Sequence, residues 1–191
     1  MGLQASAAAS TEGCEAQVLR APEDSESWRC FYLQARRDGD WEAVRTRLMA
    51  EVEQNPDNSH AWVNLAHAST ATGGEDAVAL YGRAIAGYTR TDDPSGLVPA
   101  HVALAIHLSH QGAGSEAVQA QLASARAVAE ASGDPLLGAM VDSQEARVIW
   151  RQGGDMGRAY TLVRSAEQHA FPDGPYQLKL VVLHVLAGIC E

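Results

Sequence analysis

The sequence predicts an all-α fold built from antiparallel helix hairpins stacked as an α-solenoid, with about four repeats and a final unpaired helix. Three observations carry this. In residues 62 to 84, WVNLAHASTATGGEDAVALYGRA, the side chains of Trp62, Leu65, Ala66 and Ser69 fall at i, i+3, i+4 and i+7, which sets a bulky and a small stripe on one helix face. Gly73-Gly74 ends that helix, and Ala77, Tyr81 and Ala84 at i, i+4 and i+7 give a second helix small residues that let the backbones approach and an aromatic that fills the remainder. The same hairpin is written earlier at a fixed offset: Trp28 to Trp62, Gly39 to Gly73, Ala43 to Ala77 and Ala50 to Ala84 are each 34 residues apart.

Taken in order, residues 1 to 12 are small and polar, without the basic start and apolar run of a secretory signal, and predict a disordered lead. MGLQAS matches the N-myristoylation pattern at Gly2 and Ser6, but the composition reads as bacterial: of 14 basic residues only Lys179 is lysine, the mark of a GC-rich genome. The array is expected to occupy 13–191. A brief helix over residues 13 to 19 precedes Pro22. Ser25 or Ser27 caps the helix carrying Trp28, Phe31, Tyr32 and Ala35, and Asp40 opens its partner. Asn55-Pro56 closes this first repeat, 25–56, because proline restricts the residue before it and cannot continue a helix interior. The second repeat is 57–90.

The third and fourth repeats, 93–132 and 134–171, are longer. TRTDDPSG reads as an added polar connection, and Gly112 follows Gly73 by 39 residues, so the extra residues extend helices or a loop. His101, Leu104, Ala105 and Leu108 recover the helix face, and Val118, Leu122, Ala125 and Ala129 supply its partner. Ser132-Gly133-Asp134-Pro135 is a stop and restart. In the fourth repeat Ala139, Ala146 and Trp150 precede Gly153-Gly154, and Ala159, Val163 and Ala166 follow. The last helix, 174–190, is apolar almost all round and must bury more than one face, whereas the preceding hairpin covers one. Lys179 and His184 interrupt a run already too short to span a membrane. The array is therefore expected to continue past residue 191, and the 191-residue chain to self-associate through 176–190 or to fray there.

The second hairpin resembles a tetratricopeptide repeat. The family's Trp, Leu, small, aromatic and Ala pattern is matched structurally at Trp62, Leu65, Ala66, Ala77, Tyr81 and Ala84, with Trp28 opening the first repeat and Ser69 in place of a usual Tyr. The resemblance implies a right-handed superhelix in which the first helix of each repeat lines a concave groove. SWRCFYLQARRDGDW, the SGDP junction and DGPYQLK further resemble the repeat region preceding the caspase-like protease domain of bacterial CHAT proteins, whose catalytic residues would lie outside this chain.

No catalytic constellation is present: there is no phosphate loop, GxSxG, HExxH or CxxC. No cofactor is expected. Cys14, Cys30 and Cys190 are too scattered for zinc; Cys14 with Cys30 forms a disulfide if the protein is exported, and otherwise both are reduced thiols of a cytoplasmic protein, the location favoured. His107 and His110 at i, i+3 with His101 invite a metal reading, but no carboxylate partner is close in sequence, so solvated or core-edge histidines are expected and no metal site. A net charge of −10, with no basic run, argues against nucleic acid.

What remains is a surface. Residues flanking the packing stripes are the expected peptide-binding groove: Arg29, Leu33, Arg36 and Arg37 in the first repeat, His60, Val63, Asn64, His67 and Thr70 in the second. The third adds Val102, Ile106, Ser109 and His110, and the fourth Gln144, Val148 and Arg151. Arg29, Arg36 and Arg37 make one end locally basic. The clamp by which some tetratricopeptide domains hold a C-terminal carboxylate is not expected: Asn64 matches and Arg29 stands for one Lys, but Leu33, Pro99 and Ala103 replace the other donors. The expected function is a non-catalytic scaffold that binds a protein or peptide. The alternative is the regulatory or substrate-recognition region of a larger bacterial enzyme, a CHAT-type cysteine protease or a kinase, gripping its own downstream domain.

Overall fold

A computed structural model describes residues 41–190 except 75, together with positions 30, 33, 34, 37 and 39. The predicted lead, the helix over residues 13 to 19, and Trp28, Arg29, Arg36 and Asp40 lie outside these residues. Among those described there is no strand, and eight helices follow one another: α1 Trp41–Gln54, α2 Ser59–Ala71, α3 Ala77–Thr91, α4 Pro94–His110, α5 Ser115–Ser132, α6 Pro135–Arg151, α7 Met156–Asp173 and α8 Tyr176–Cys190. The fold is all-α and repeat-like, and within each compact unit consecutive helices pack together as in a helical solenoid. The chain divides into two compact units, Met1–Arg90 and Thr91–Glu191.

In the first unit α1 packs on α2. Between them Glu51, buried in α1, accepts the side-chain amides of Asn55 and Asn58 at 3.0 and 3.1 Å. Asn58 then caps α2 by accepting the Ala61 N–H at 3.1 Å. Trp62 is buried, donates its indole N–H to the Pro56 carbonyl at 2.8 Å, and lies under the Arg83 guanidinium, 4.7 Å from the ring centre. Leu65, Ala66, Ala77, Tyr81 and Ala84 are all buried. Ser69 is fully buried too, its hydroxyl satisfied by Asp76, so the residue that departs from the repeat pattern is used to tie the turn instead of filling space.

The paired glycines serve two different needs. Gly73 and Gly153 adopt positive φ, 75° and 65°, the left-handed conformation that ends a helix without a Cβ penalty. Gly74 and Gly154 do not; a Cβ there would run into Ser69 and Ile149, so their role is close approach. Each turn is closed by the same bond five residues back, Gly74 to the Ser69 carbonyl at 2.8 Å and Gly154 to that of Ile149 at 2.9 Å. Ala113 repeats it to Leu108 at 3.0 Å after Gly112, whose φ is 70°.

The second unit repeats with a period of its own. Pro94, Pro135 and Tyr176 open α4, α6 and α8, each 41 residues after the last, and Ser115 and Met156 open α5 and α7 at the same spacing. Compared with the 34-residue offset read in the first half, seven residues have been added. They lengthen the helices: α4 and α6 have 17 residues against 13 in α2, and α5 and α7 have 18 against 15 in α3. That is about one turn on each arm of the hairpin, which keeps both helices in register. The polar connection read in TRTDDPSG shrinks accordingly. α3 runs to Thr91 and α4 starts at Pro94, leaving Asp92 in the left-handed region and Asp93 as the cap that accepts the Ser95 and Gly96 N–H groups. Asp134 repeats this cap for α6 on Leu136. A proline in the first helical turn has no N–H to leave unsatisfied, so Asp-Pro is a compact stop and restart.

Packing in this unit follows one rule. Each first helix packs on its own partner, α4 on α5 and α6 on α7, and on the next first helix, α4 on α6 and α6 on α8. α5 and α7 also pack on the following first helix, but not on each other. First helices thus form one continuous layer and second helices a more widely spaced one. The core between them is Val98, Val102, Ala125, Ala129, Leu137 and Val141 at one level and Ala139, Ala146, Ala159, Val163, Ala166, Ala170, Leu178, Val182 and Val185 at the next. Trp150 presses so closely on α8 that a Cβ at Gly188 would collide with its indole.

Candidate partner-binding face

On α6, residues 144, 147, 148 and 151 fall at i, i+3, i+4 and i+7, and thus on one stripe. Its neighbour α4 presents Ile106, Ser109 and His110. Where the two helices run side by side, Ile106, Ser109, His110, Arg147, Val148 and Arg151 line a shallow depression of about 180 Å³ open to solvent. Five of these six belong to the groove read from the sequence. Val148 is buried and forms the floor with half-buried Ile106; Val102 is buried deeper, in the core between α4, α5 and α6.

The polar rim has a definite arrangement. Arg151 approaches His110 Nε2 at 2.9 Å, and Gln152 donates to the Ser109 hydroxyl at 3.4 Å. Burial, then the positive charges of Arg151, Arg147 and His107, hold His110 below its ordinary pKa, so the imidazole stays neutral and its lone pair is available to Arg151. Burial, then Arg151, likewise lowers the pKa of Arg147. Neither arginine is paired with a carboxylate among the described residues. An acidic chain has here placed two cations a helical turn apart beside an apolar floor, an arrangement that suits negatively charged groups of a partner. Arg147 was not singled out in the sequence; its spacing one turn before Arg151 was the available signal.

The rest of the predicted groove is placed differently. His60 and His67 turn to their own hairpin: Tyr88 Oη lies 2.8 Å from His60 Nδ1 and Tyr81 Oη 2.9 Å from His67 Nδ1, each pair of rings edge to face. Both histidines thus bridge α2 and α3. Thr70 donates its hydroxyl to the Ala66 carbonyl. Val63 and Asn64 are half-buried, and Leu33 and Arg37 exposed. Gln144 is half-buried, with its Oε1 enclosed and without a hydrogen bond. Trp28, Arg29 and Arg36 lie outside the described residues, as does Cys14; Cys30 is disulfide-bonded, its partner lying outside the described side chains.

A second charged cluster sits deeper, and its charges pair with one another. Glu145, 4% exposed, receives Arg126 of α5 at 2.8 Å and Arg158 of α7, and Arg126 also pairs with Asp142 at 2.8 Å. Burial acts to lower the Arg126 pKa, but hydrogen bonds and charge from Glu145 and Asp142 outweigh it and raise it. Among the described residues no group of histidine, cysteine and carboxylate side chains could hold a metal ion, and no helix is long and apolar enough to cross a membrane. No family model matches the chain, and no curated protein matches it. The class that the structure defines is therefore an all-helical, repeat-like fold.

Proposed function

We propose that the chain is a non-catalytic protein- or peptide-binding module of the tetratricopeptide type, and that the α4–α6 face is where it binds. The observation that carries this reading is the depression itself, which joins an apolar floor at Ile106 and Val148 to two arginines with no carboxylate partner among the described residues. Left-handed glycine turns at 39, 73, 112 and 153 and the small-residue seams between helices support the repeat type. The test is photo-crosslinking from probes placed at Ser109 and Gln152, followed by peptide mapping. Adducts to a separate protein support the scaffold reading. Adducts to a catalytic domain of the same, longer chain would replace it with the regulatory reading, in which the face grips a CHAT-type or kinase domain. Probes that capture nothing while one at an unrelated surface does would overturn both.

A further inference from the structure

The depression between α4 and α6 presents an acceptor where an anion needs a donor. Arg151 directs a guanidinium N–H at His110 Nε2, 2.9 Å away, so that nitrogen accepts and the neutral ring carries its own proton on Nδ1. A lone pair beside two cations weakens their hold on an anionic oxygen. The charged groups acting on the ring are Arg151 and Arg147 from α6 and His107 from its own helix; α5, which also packs on α4, contributes none, and no carboxylate is among them. Burial and then these positive charges disfavour the imidazolium. An anionic group seated on the arginines would cancel that opposition.

Resting on the reading of this face as a binding site, we propose that anion binding here is proton-linked: when an anionic oxygen group settles on Arg147 and Arg151, His110 takes up a proton from solvent and becomes its third cationic donor. The proton adds to Nε2, the atom that faces the Arg151 guanidinium. Two donors cannot share that contact, so Arg151 leaves His110 and turns to the anion, and the new Nε2–H points the same way. The free site opposes the proton, whereas the occupied site favours it, because the anion offsets both arginines. Linkage is reciprocal, so an anion that raises the proton affinity of His110 is itself held more tightly as pH falls through the histidine range. The device lies in this chain's own residues and works the same way whatever molecule supplies the anion.

The probe is an amidated peptide of alternating cysteic acid and leucine, whose sulfonates keep their charge throughout, titrated into the full 191-residue chain at about pH 7.5, 6.5 and 5.5. Circular dichroism at each pH checks that the fold is held constant. Kd should fall roughly fivefold across the series, the low end for coupled sites because His110 is exposed and its charge is screened. The His110 ring resonances should titrate at a higher pH in saturating peptide than without it. His110→Gln, whose amide still accepts from Arg151 but takes no proton, should lose most of the tightening, whereas His169→Gln, at an exposed histidine of α7, should retain it. Absent binding, or binding that Arg147→Gln with Arg151→Gln does not weaken, would remove the anion site and this inference with it. Binding that needs both arginines but is flat with pH, equal tightening in the His110 variant, or an unmoved His110 titration would overturn the proton linkage alone.

Discussion

Glu145 pairs with Arg126 at 2.8 Å from a place in α6, eight residues before the turn glycine, where α2 and α4 carry Leu65 and Leu104. A carboxylate has replaced a core leucine, and two arginines from the flanking second helices, Arg126 of α5 and Arg158 of α7, neutralise it. Burying such a charge is tolerated only when it is paired, and a well-packed apolar residue serves equally well. Arg126→Leu alone should therefore cost about 1 to 3 kcal/mol, below the loss expected for a wholly buried pair because Arg158 remains and Arg126 is one-third exposed. Arg126→Leu with Glu145→Leu should return to within about 1 kcal/mol of the parent. Urea denaturation of both single variants and the double variant gives the coupling; additive losses would show that the pair is incidental.

Trp62→Ala should be the most damaging single change in α2. It empties a buried site, removes the bond to the Pro56 carbonyl and strips the Arg83 guanidinium of its aromatic surface. A loss of about 3 to 5 kcal/mol is expected. Chemical denaturation measures it, and a loss under about 0.5 kcal/mol, the level of surface sites, would mean that the ridge is not formed.

Much of this was legible in the residues, and what was not has physical causes. Trp62, Leu65, Ala66, Ala77, Tyr81 and Ala84 were readable because helix period and side-chain size both act locally. The 41-residue repeat was written in Asp93-Pro94 and Asp134-Pro135, but it was obscured because the first layer changes character: His101 and Asp142 stand where Trp62 does, and Glu145 where Leu65 does. Pairing across helices was not readable. His60 and His67 looked like outward groove residues because nothing in sequence links them to Tyr88 and Tyr81, 28 and 14 positions away. Arg147 was passed over for the opposite reason: an arginine one turn from another looks like a solvated face until a neighbouring helix partly buries it.

Stability should fall as the solution is acidified through the histidine range. Burial holds His107 below its ordinary pKa, and burial with nearby positive charge does the same for His110. The unfolded chain then takes up protons near pH ~6.5 while the folded chain does not. The stability this confers is complete above that pH and is lost as pH drops through the lowered folded values. Urea midpoints at several values between about pH 7.5 and 5.0 should show the decline, and His107→Gln should flatten it. His110, the more exposed of the two, should contribute less. An unchanged slope in the His107 variant would assign the dependence to other groups.

The depression between α4 and α6 makes a kinetic prediction as well as an equilibrium one. Arg147 and Arg151 carry two positive charges a turn apart, and the neutral His110 engages one guanidinium without cancelling its charge. Such a pair should accelerate the approach of an acidic segment and hold it by charge-assisted hydrogen bonds, while Ile106 and Val148 accept an apolar side chain beside it. The suitable probe is an amidated peptide of alternating glutamate and leucine, compared with its glutamine counterpart. Association of the acidic peptide should slow as salt is raised, since Arg151 is exposed and Arg147 only half-buried, and charges at such a surface are screened within about 8 to 10 Å at physiological ionic strength. Arg151→Gln should slow association roughly threefold at low salt, and Arg147→Gln with Arg151→Gln roughly tenfold, with little salt dependence left. Arg164→Gln, at an exposed arginine already paired with Glu167 on α7, is the control and should change neither. Equal rates for the parent and the double variant, or equal binding of the glutamine peptide, would show that the two arginines are only a solvated face.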